Sequence, residues 1–190
     1  MSPVGGATYT IPIEIPPGTN NIKPILSLEY NSSYYNGIAG IGWNLSGISS
    51  IRFTGKNLFF DGEATSFSAF DGPLVLDGNR LIRDEQNMMF YYEGNNCIVY
   101  DLHRTDKSKI LFMLNKSCFM KKDNKNLKIF YGSNQYNNSI KTLSLDEGVL
   151  KYEMKIDSIV DTYGNFMTYK YYDDDDNFID EINYTGYSNE

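Results

Sequence analysis

The chain has 190 residues, about the size of one domain, with a net charge of −7 and 15% aromatic residues. That acidic balance excludes duplex DNA or an anionic membrane surface as a partner, because both need a basic face. No apolar run approaches the ~18 residues of a membrane span, and "MSPVGGATYT" has neither a basic n-region nor an apolar h-region, so no Sec signal is expected in this chain.

In chain order, "YTIPIEIPPG" alternates. Ile11, Ile13 and Ile15 share one face, and Pro12, Glu14 and Pro16 share the other. Proline on alternate positions removes ladder donors, so this strand is expected at a sheet edge. Pro16-Pro17-Gly18-Thr19 ends it, and "PILSLEYNSS" alternates again with Leu26, Leu28 and Tyr30 on one face. Asp-Gly at 61, 71 and 77 and Gly-Asn at 94 and 164 then mark hairpin turns. Between them lie strand-like runs: Phe67 to Phe70, Pro73 to Leu76, Met89 to Tyr92, Ile98 to Leu102, Ile110 to Leu114 and Leu127 to Tyr131. Asn79 to Glu93 has helical spacing at Leu81, Ile82, Met88 and Met89, but Arg80 to Arg83 beside an Asp-Gly turn reads as a short strand. The C-terminal third reads as strand, Tyr-Gly-Asn turn, strand, acidic turn, strand. The expected fold is all-β, built of short antiparallel strands and hairpins. The last strand, "FIDEINYTG", has apolar residues on both faces and is expected to leave a bare outer edge.

Candidate sites are few. Gly37, Gly40 and Gly42 form G-x-x-G-x-G, not the dinucleotide fingerprint, and no strand-turn-helix context surrounds them. They are read as a tight turn against which Trp43, the single tryptophan, lies buried. His103 is the only histidine, which excludes a His-based metal site. The acid pairs Asp61/Glu63 and Asp180/Glu181 have the composition of a glycosidase pair, but acids beside turns are ordinarily just solvated. Asp173 to Asp176 lack the alternate spacing and glycine of a calcium loop and read as a solvated turn. Cys97 and Cys118 are too few for a disulfide scaffold. They are either a pair or two core thiols, and a core of this size needs no staple. No catalytic residue, metal ligand or cofactor site is assigned.

Two stretches, "YTIPIEIPPGTNNIKPILSLEYNSS" and "NGIAGIGWNLSGISSIRF", closely resemble the start of the SpvB/TcaC-type N-terminal family, which contains the B components of insecticidal Tc toxins and related virulence-plasmid proteins. The matching residues include Pro16, Pro17, Gly18, Tyr30, Asn31, Gly37, Gly40, Gly42, Trp43, Leu45, Gly47 and Arg52. Further on, "LVLDGNRLI", with Asp77, Gly78 and Arg80, is similar to the family's Leu-Asp-Gly-x-Arg-Leu segment. "IDSIVDTYGNFMTYKYY", with Tyr163, Gly164 and Asn165, is similar to its lead-in to Rhs/YD-type repeats. A tryptophan frequent just before that lead-in is absent, with Tyr152 nearby.

The resemblance implies a role that composition does not. Members begin a hollow shell of spiralling β-sheet that encloses a toxic C-terminal polypeptide, and any enzymatic part lies outside this segment. By that resemblance residues 1–190 are one SpvB-type β module, a fragment of a longer chain. Its parts are 1–53 (the Pro-Pro-Gly-Thr and Gly-Trp-x-Leu-x-Gly segment), 54–150 (hairpins) and 151–190 (lead-in to the repeats). The implied protein is a non-enzymatic toxin-shell segment without cofactor, exported by a non-classical route after a cytoplasmic stage. Its partners are the downstream shell or Rhs-repeat region, the toxic domain or subunit and other Tc-toxin subunits, with no nucleic acid and no membrane span. The reading from another class is an adhesin or carbohydrate-binding β module using exposed Tyr and Trp as sugar platforms.

Overall fold

The structure is a computed structural model that describes residues 5–65, 72–85, 90–102, 108–123, 125–133, 139–145, 148–172 and 178–188, with backbone alone at 141–145 and 148–152. His103, the run Phe67 to Phe70, Met88, Met89, Asp71 and Asp173 to Asp176 lie outside the described residues.

Among the described residues seventeen strands run in chain order: β1 (Thr8–Ile13), β2 (Leu26–Asn31), β3 (Asn36–Gly37), β4 (Gly40–Ile41), β5 (Trp43–Ser46), β6 (Ser50–Phe53), β7 (Leu74–Leu76), β8 (Asn79–Arg83), β9 (Phe90–Tyr92), β10 (Asn95–Leu102), β11 (Lys109–Met113), β12 (Cys118–Lys122), β13 (Lys128–Tyr131), β14 (Ile140–Leu145), β15 (Gly148–Val160), β16 (Asn165–Tyr171) and β17 (Ile179–Tyr187). One short helix, α1 (Leu58–Asp61), lies between β6 and β7. Arg80 to Arg83 is strand, as the adjoining turn indicated. The turn dipeptides divide by context. Asp77-Gly78 and Glu93-Gly94 both have positive φ, and each makes the two-residue hairpin such pairs favour. Asp61-Gly62, read from sequence as a hairpin turn, instead ends α1, with Gly62 as its left-handed cap.

Eight strands close on themselves. The antiparallel order β13-β12-β11-β10-β8-β7-β6-β15 returns to β13, because β15 is long enough to pair β6 through Glu153–Lys155 and β13 through Ile156–Val160. One face of this ring can be followed across strands by directly opposed residues: Met154 to Ile51, Ile51 to Leu76, Leu81 to Leu102, Ile110 to Tyr100 and Phe119 to Tyr131. Buried side chains from β6, β7, β8, β11, β12, β13 and β15 join one cluster on that face, so it points inward. Beyond β15 the sheet runs on through β16 to β17, adding Met167, Tyr169 and Tyr171 to the same core.

The opposite face of β10, β11 and β12 carries a second cluster: Cys97, Val99, Leu111, Met113, Cys118 and Met120. Cys97 opposes Met113, and Met113 opposes Cys118. The two cysteines are thus separated by a whole strand, roughly 10 Å at normal sheet spacing, which is beyond disulfide reach. Both are buried and neither is in a disulfide, and burial pushes the Cys97 thiol above its usual range.

Candidate functional site: the joint between sheet and ring

The N-terminal segment forms a separate three-stranded sheet in the order β1-β2-β5. As the prolines indicated, β1 is an edge strand. Register puts the apolar residues on one face: Tyr9 opposes Tyr30 and Tyr30 opposes Trp43, while Ile11 opposes Leu28 and Leu28 opposes Leu45. The other face carries Thr8, Thr10, Ser27, Glu29, Asn44 and Ser46. Between β2 and β5, the segment from Gly37 to Gly40 folds as a small hairpin of β3 and β4, and Gly42 hydrogen-bonds back to Tyr35 and Asn31.

Of the partners expected to bury Trp43, Gly40 or Gly42 and neighbouring strand aromatics, the structure shows the aromatic one, Tyr30. Trp43 is only half-buried, and its ring packs on Tyr30 with centroids 5.3 Å apart. At Gly42 the close neighbour is the Tyr30 ring, 2.6 Å from where a Cβ would stand, whereas Gly40 faces open space. Trp43 belongs to a strand and packs across it, so its ring meets its cross-strand partner, not the turn before it. Gly47 holds the end of β5. Its φ is +104, and a Cβ there would collide with the Ile25 carbonyl.

From Gly47 the chain passes into β6 and the ring, and Asp77 secures the passage. Its carboxylate accepts the Ser50 amide at 2.9 Å and the Ser49 hydroxyl at 2.6 Å, and its own amide donates to the Ser50 carbonyl. The Tyr131 hydroxyl lies 3.2 Å from the Ser49 hydroxyl, and burial raises Tyr131 well above the ordinary phenol range. On the next strand Arg80 makes a two-pronged contact with Asp61, at 2.5 and 2.9 Å, and its guanidinium lies 5.1 Å from the Phe60 ring centre. The Arg80 hydrogen bond, followed by the Asn57 amide, holds the Asp61 carboxyl below its usual value. Arg52 stands on β6 opposite Glu153, on the outer face of the ring.

A second contact ties the sheet down near the other end of the chain. After Pro16-Pro17, residues Thr19–Asn21 make a single 3-10 turn, and Asn20 and Asn21 take the left-handed conformation that asparagine tolerates. This turn puts Ile22 into the main core and brings Gly18 against the Tyr184 ring. It also places the Asn20 amide 2.8 Å from Asp161. Asp161 further accepts Asn165 through side chain and backbone, and the Tyr163 amide, so it shapes the Tyr163-Gly164-Asn165 turn as well. Burial raises the Asp161 carboxyl, but the donors from Asn165, Asn20 and Tyr163 outweigh it and leave it below its usual value.

Three of the four acids weighed from sequence stand in ion pairs. Asp61 meets Arg80, Glu63 meets Lys56 at 2.9 Å, and Asp180 meets Lys170 at 3.2 Å. Sequence reasoning missed Asp161 and the fully buried Asp157, which accepts the hydroxyls of Ser133 and Ser158 and the Ser133 amide. The signal for Asp161 was present, since an Asp opening Asp-Thr-Tyr-Gly-Asn is placed for an Asx turn. Nothing local marked Asp157, whose partner Ser133 lies 24 positions away.

The fold and this site define an antiparallel β module in which Gly47, Asp77 and Asp161 help join one sheet to a closed ring. The SpvB family, described as Salmonella virulence plasmid 65kDa B protein, matches residues 1–60. The N-terminal segment matches SpvB, as its motifs led us to expect. The fold is shared over 90% of the chain with solved structures. A crystal structure of TcdB2-TccC3-Cdc42 superposes with TM-score 0.67 at 17% identity, covering 90% of this chain and 8% of that one. The N-terminal domain of effector protein SpvB from Salmonella typhimurium strain LT2 gives 0.60 at 17% identity, covering 90% and 56%. The Tc holotoxin pore of Photorhabdus luminescens gives 0.66 at 17%, covering 90% and 8%. At these identities the likeness is one of fold, and the chain spans a small part of the Tc structures. No curated protein matches.

Proposed function

We propose that this chain is a non-catalytic structural segment of a bacterial toxin shell or carrier. It helps enclose or deliver a toxic C-terminal polypeptide. Its partners are further β-sheet of a shell or Rhs-repeat region, the toxic domain or subunit, and other Tc-toxin subunits. Residues 1–190 act as one SpvB-type module with parts 1–53, 54–150 and 151–190, and the protein is released from the cell by a non-classical route. The observation that carries this reading is the pairing of an SpvB-type segment at residues 1–60 with a fold match over 90% of the chain to both Tc-toxin and SpvB structures.

The small sheet supports it physically. Tyr9, Ile11 and Ile13 stand on the apolar face of β1 and remain exposed. An apolar sheet face left open is what a neighbouring layer of sheet would cover. Among the described residues β17 also pairs on one side only. It is a guarded edge, however: Asp180 and Glu181 charge it, and Thr185 with positive φ interrupts its register with β16. Cryo-electron microscopy of the protein at its native length tests the reading. Tyr9, Ile11 and Ile13 are expected to lie beneath further β-sheet in a wall around an enclosed space. A native particle with this face in solvent and no enclosed space would overturn it.

A further inference from the structure

The outer face of the ring beside β13 carries a groove that borders the Asp161 turn. Its volume is about 940 Å³, at the upper end of the ~300–1,000 Å³ usual for small-ligand sites. Its floor is the strand residues Lys128, Phe130, Val160 and Phe166, and turns surround it: the β9–β10 turn at Glu93, the β11–β12 turn at Lys116, the β12–β13 connection at Asn126, and the β15–β16 turn from Asp161 to Gly164, with the end of β17 closing one side. Two rings stand at the rim in solvent, Tyr163 at 71% exposure and Tyr187 at 63%. Phe130 and Phe166 line it half-buried.

Charge and shape narrow the ligand. Lys116 and Lys128 are balanced by Glu93 and Asp161, and Lys128 is already paired with Glu93 at 2.7 Å. A phosphate-bearing ligand needs surplus positive charge, which this groove lacks. An extended peptide is captured along an open strand edge, and only the last residue of β17, Tyr187, brings such an edge to this groove, too short a stretch for a strand to add to. What remains is a mixture of exposed aromatic faces and uncharged or mutually neutralised polar groups. A sugar ring has the complementary surface: C–H groups on one face to lie against a Tyr ring, and hydroxyls around its edge to meet amide, ammonium and carboxylate groups. Asp161, held by four donors from Asn20, Tyr163 and Asn165, keeps the turn bearing Tyr163 in place.

We infer that this groove is a binding site for a neutral oligosaccharide, with Tyr163 and Tyr187 as stacking platforms and Lys116 and Asn126 as hydroxyl partners. The site's stacking residues, Tyr163 and Tyr187, lie outside the exposed Tyr9, Ile11 and Ile13 face on which the proposed shell role rests, so the two readings fail separately. Saturation-transfer NMR on the 190-residue chain, with cellotetraose, chitotetraose, mannotetraose and lactose each at millimolar concentration, tests it. At least one sugar is expected to bind. Tyr163→Ala and Tyr187→Ala are each expected to weaken it by about tenfold, while Tyr187→Phe retains it. Tyr35→Ala, at a still more exposed residue outside the groove, serves as the control and is expected to leave binding unchanged. Because all three tyrosines are exposed, circular dichroism should stay that of the parent chain. Absence of binding by every sugar would overturn the inference, as would binding that survives both alanine variants.

Discussion

The ring and the N-terminal sheet are made of the same kinds of residue and are buried to very different degrees. Ile51 and Ile110 in the ring are 0% exposed, whereas on β1 Tyr9 is 64%, Ile11 41% and Ile13 39% exposed. The difference is one of closure. A ring gives every strand two neighbours and one shared interior, so an inward residue meets side chains from the opposite wall. A three-stranded sheet has two edges and one apolar face, and it must find its cover elsewhere. Its attachments to the ring are the Gly47–Ser50 passage clamped by Asp77 and the Asn20–Ile22 turn on Asp161. The two regions should therefore lose structure separately.

The sharpest way to test that separation is to damage the ring alone. Ile110→Ala removes a fully buried side chain, and a loss of about 2–5 kcal/mol in urea unfolding followed by circular dichroism is expected. A loss under about 0.5 kcal/mol would mean the ring interior is not the stable core. Next comes damage to the sheet alone. Gly47→Ala forces a Cβ onto the Ile25 carbonyl at a φ of +104 and should cost about 1–3 kcal/mol. Since the single tryptophan, Trp43, sits in this sheet, its fluorescence transition should move to lower urea while the circular dichroism midpoint holds. Coincident shifts of both probes would make sheet and ring one cooperative unit.

A smaller effect concerns acid. The Asp61 carboxyl is held low by Arg80, so its contribution is present above the ordinary carboxylate value of about 4 and lost as pH falls through the lower folded value. Arg80→Met should move the Asp61 titration, followed by carbonyl-carbon NMR, upward toward the ordinary range. An unmoved titration would show that the guanidinium is not its cause. The smallest effect is expected from reductant. With Cys97 and Cys118 separated by β11, added thiol should leave the melting temperature within about 1 °C, and a fall of several degrees would mean a disulfide exists.

Local patterning made much of this molecule legible. Alternation in "YTIPIEI" and "ILSLEY" marked two strands and their shared apolar face, alternate prolines put β1 at an edge, and Asp77-Gly78 placed a hairpin, because strand period, proline chemistry and positive φ are properties of a few adjacent residues. The Pro-Pro-Gly-Thr and Gly-Trp-x-Leu-x-Gly motifs were enough to indicate an SpvB-type segment. Helix α1 was missed because Asp61-Gly62 has the same local form as a hairpin turn, and only the cap at Asn57 and the grip of Arg80 select the helix. Ring closure, the packing of Trp43 on Tyr30, the separation of the cysteines and the partners of Asp157 and Asp161 were decided by tertiary structure. Each depends on which strands lie side by side. Register between distant strands is set by the packing of the whole core, and no local run of residues encodes it.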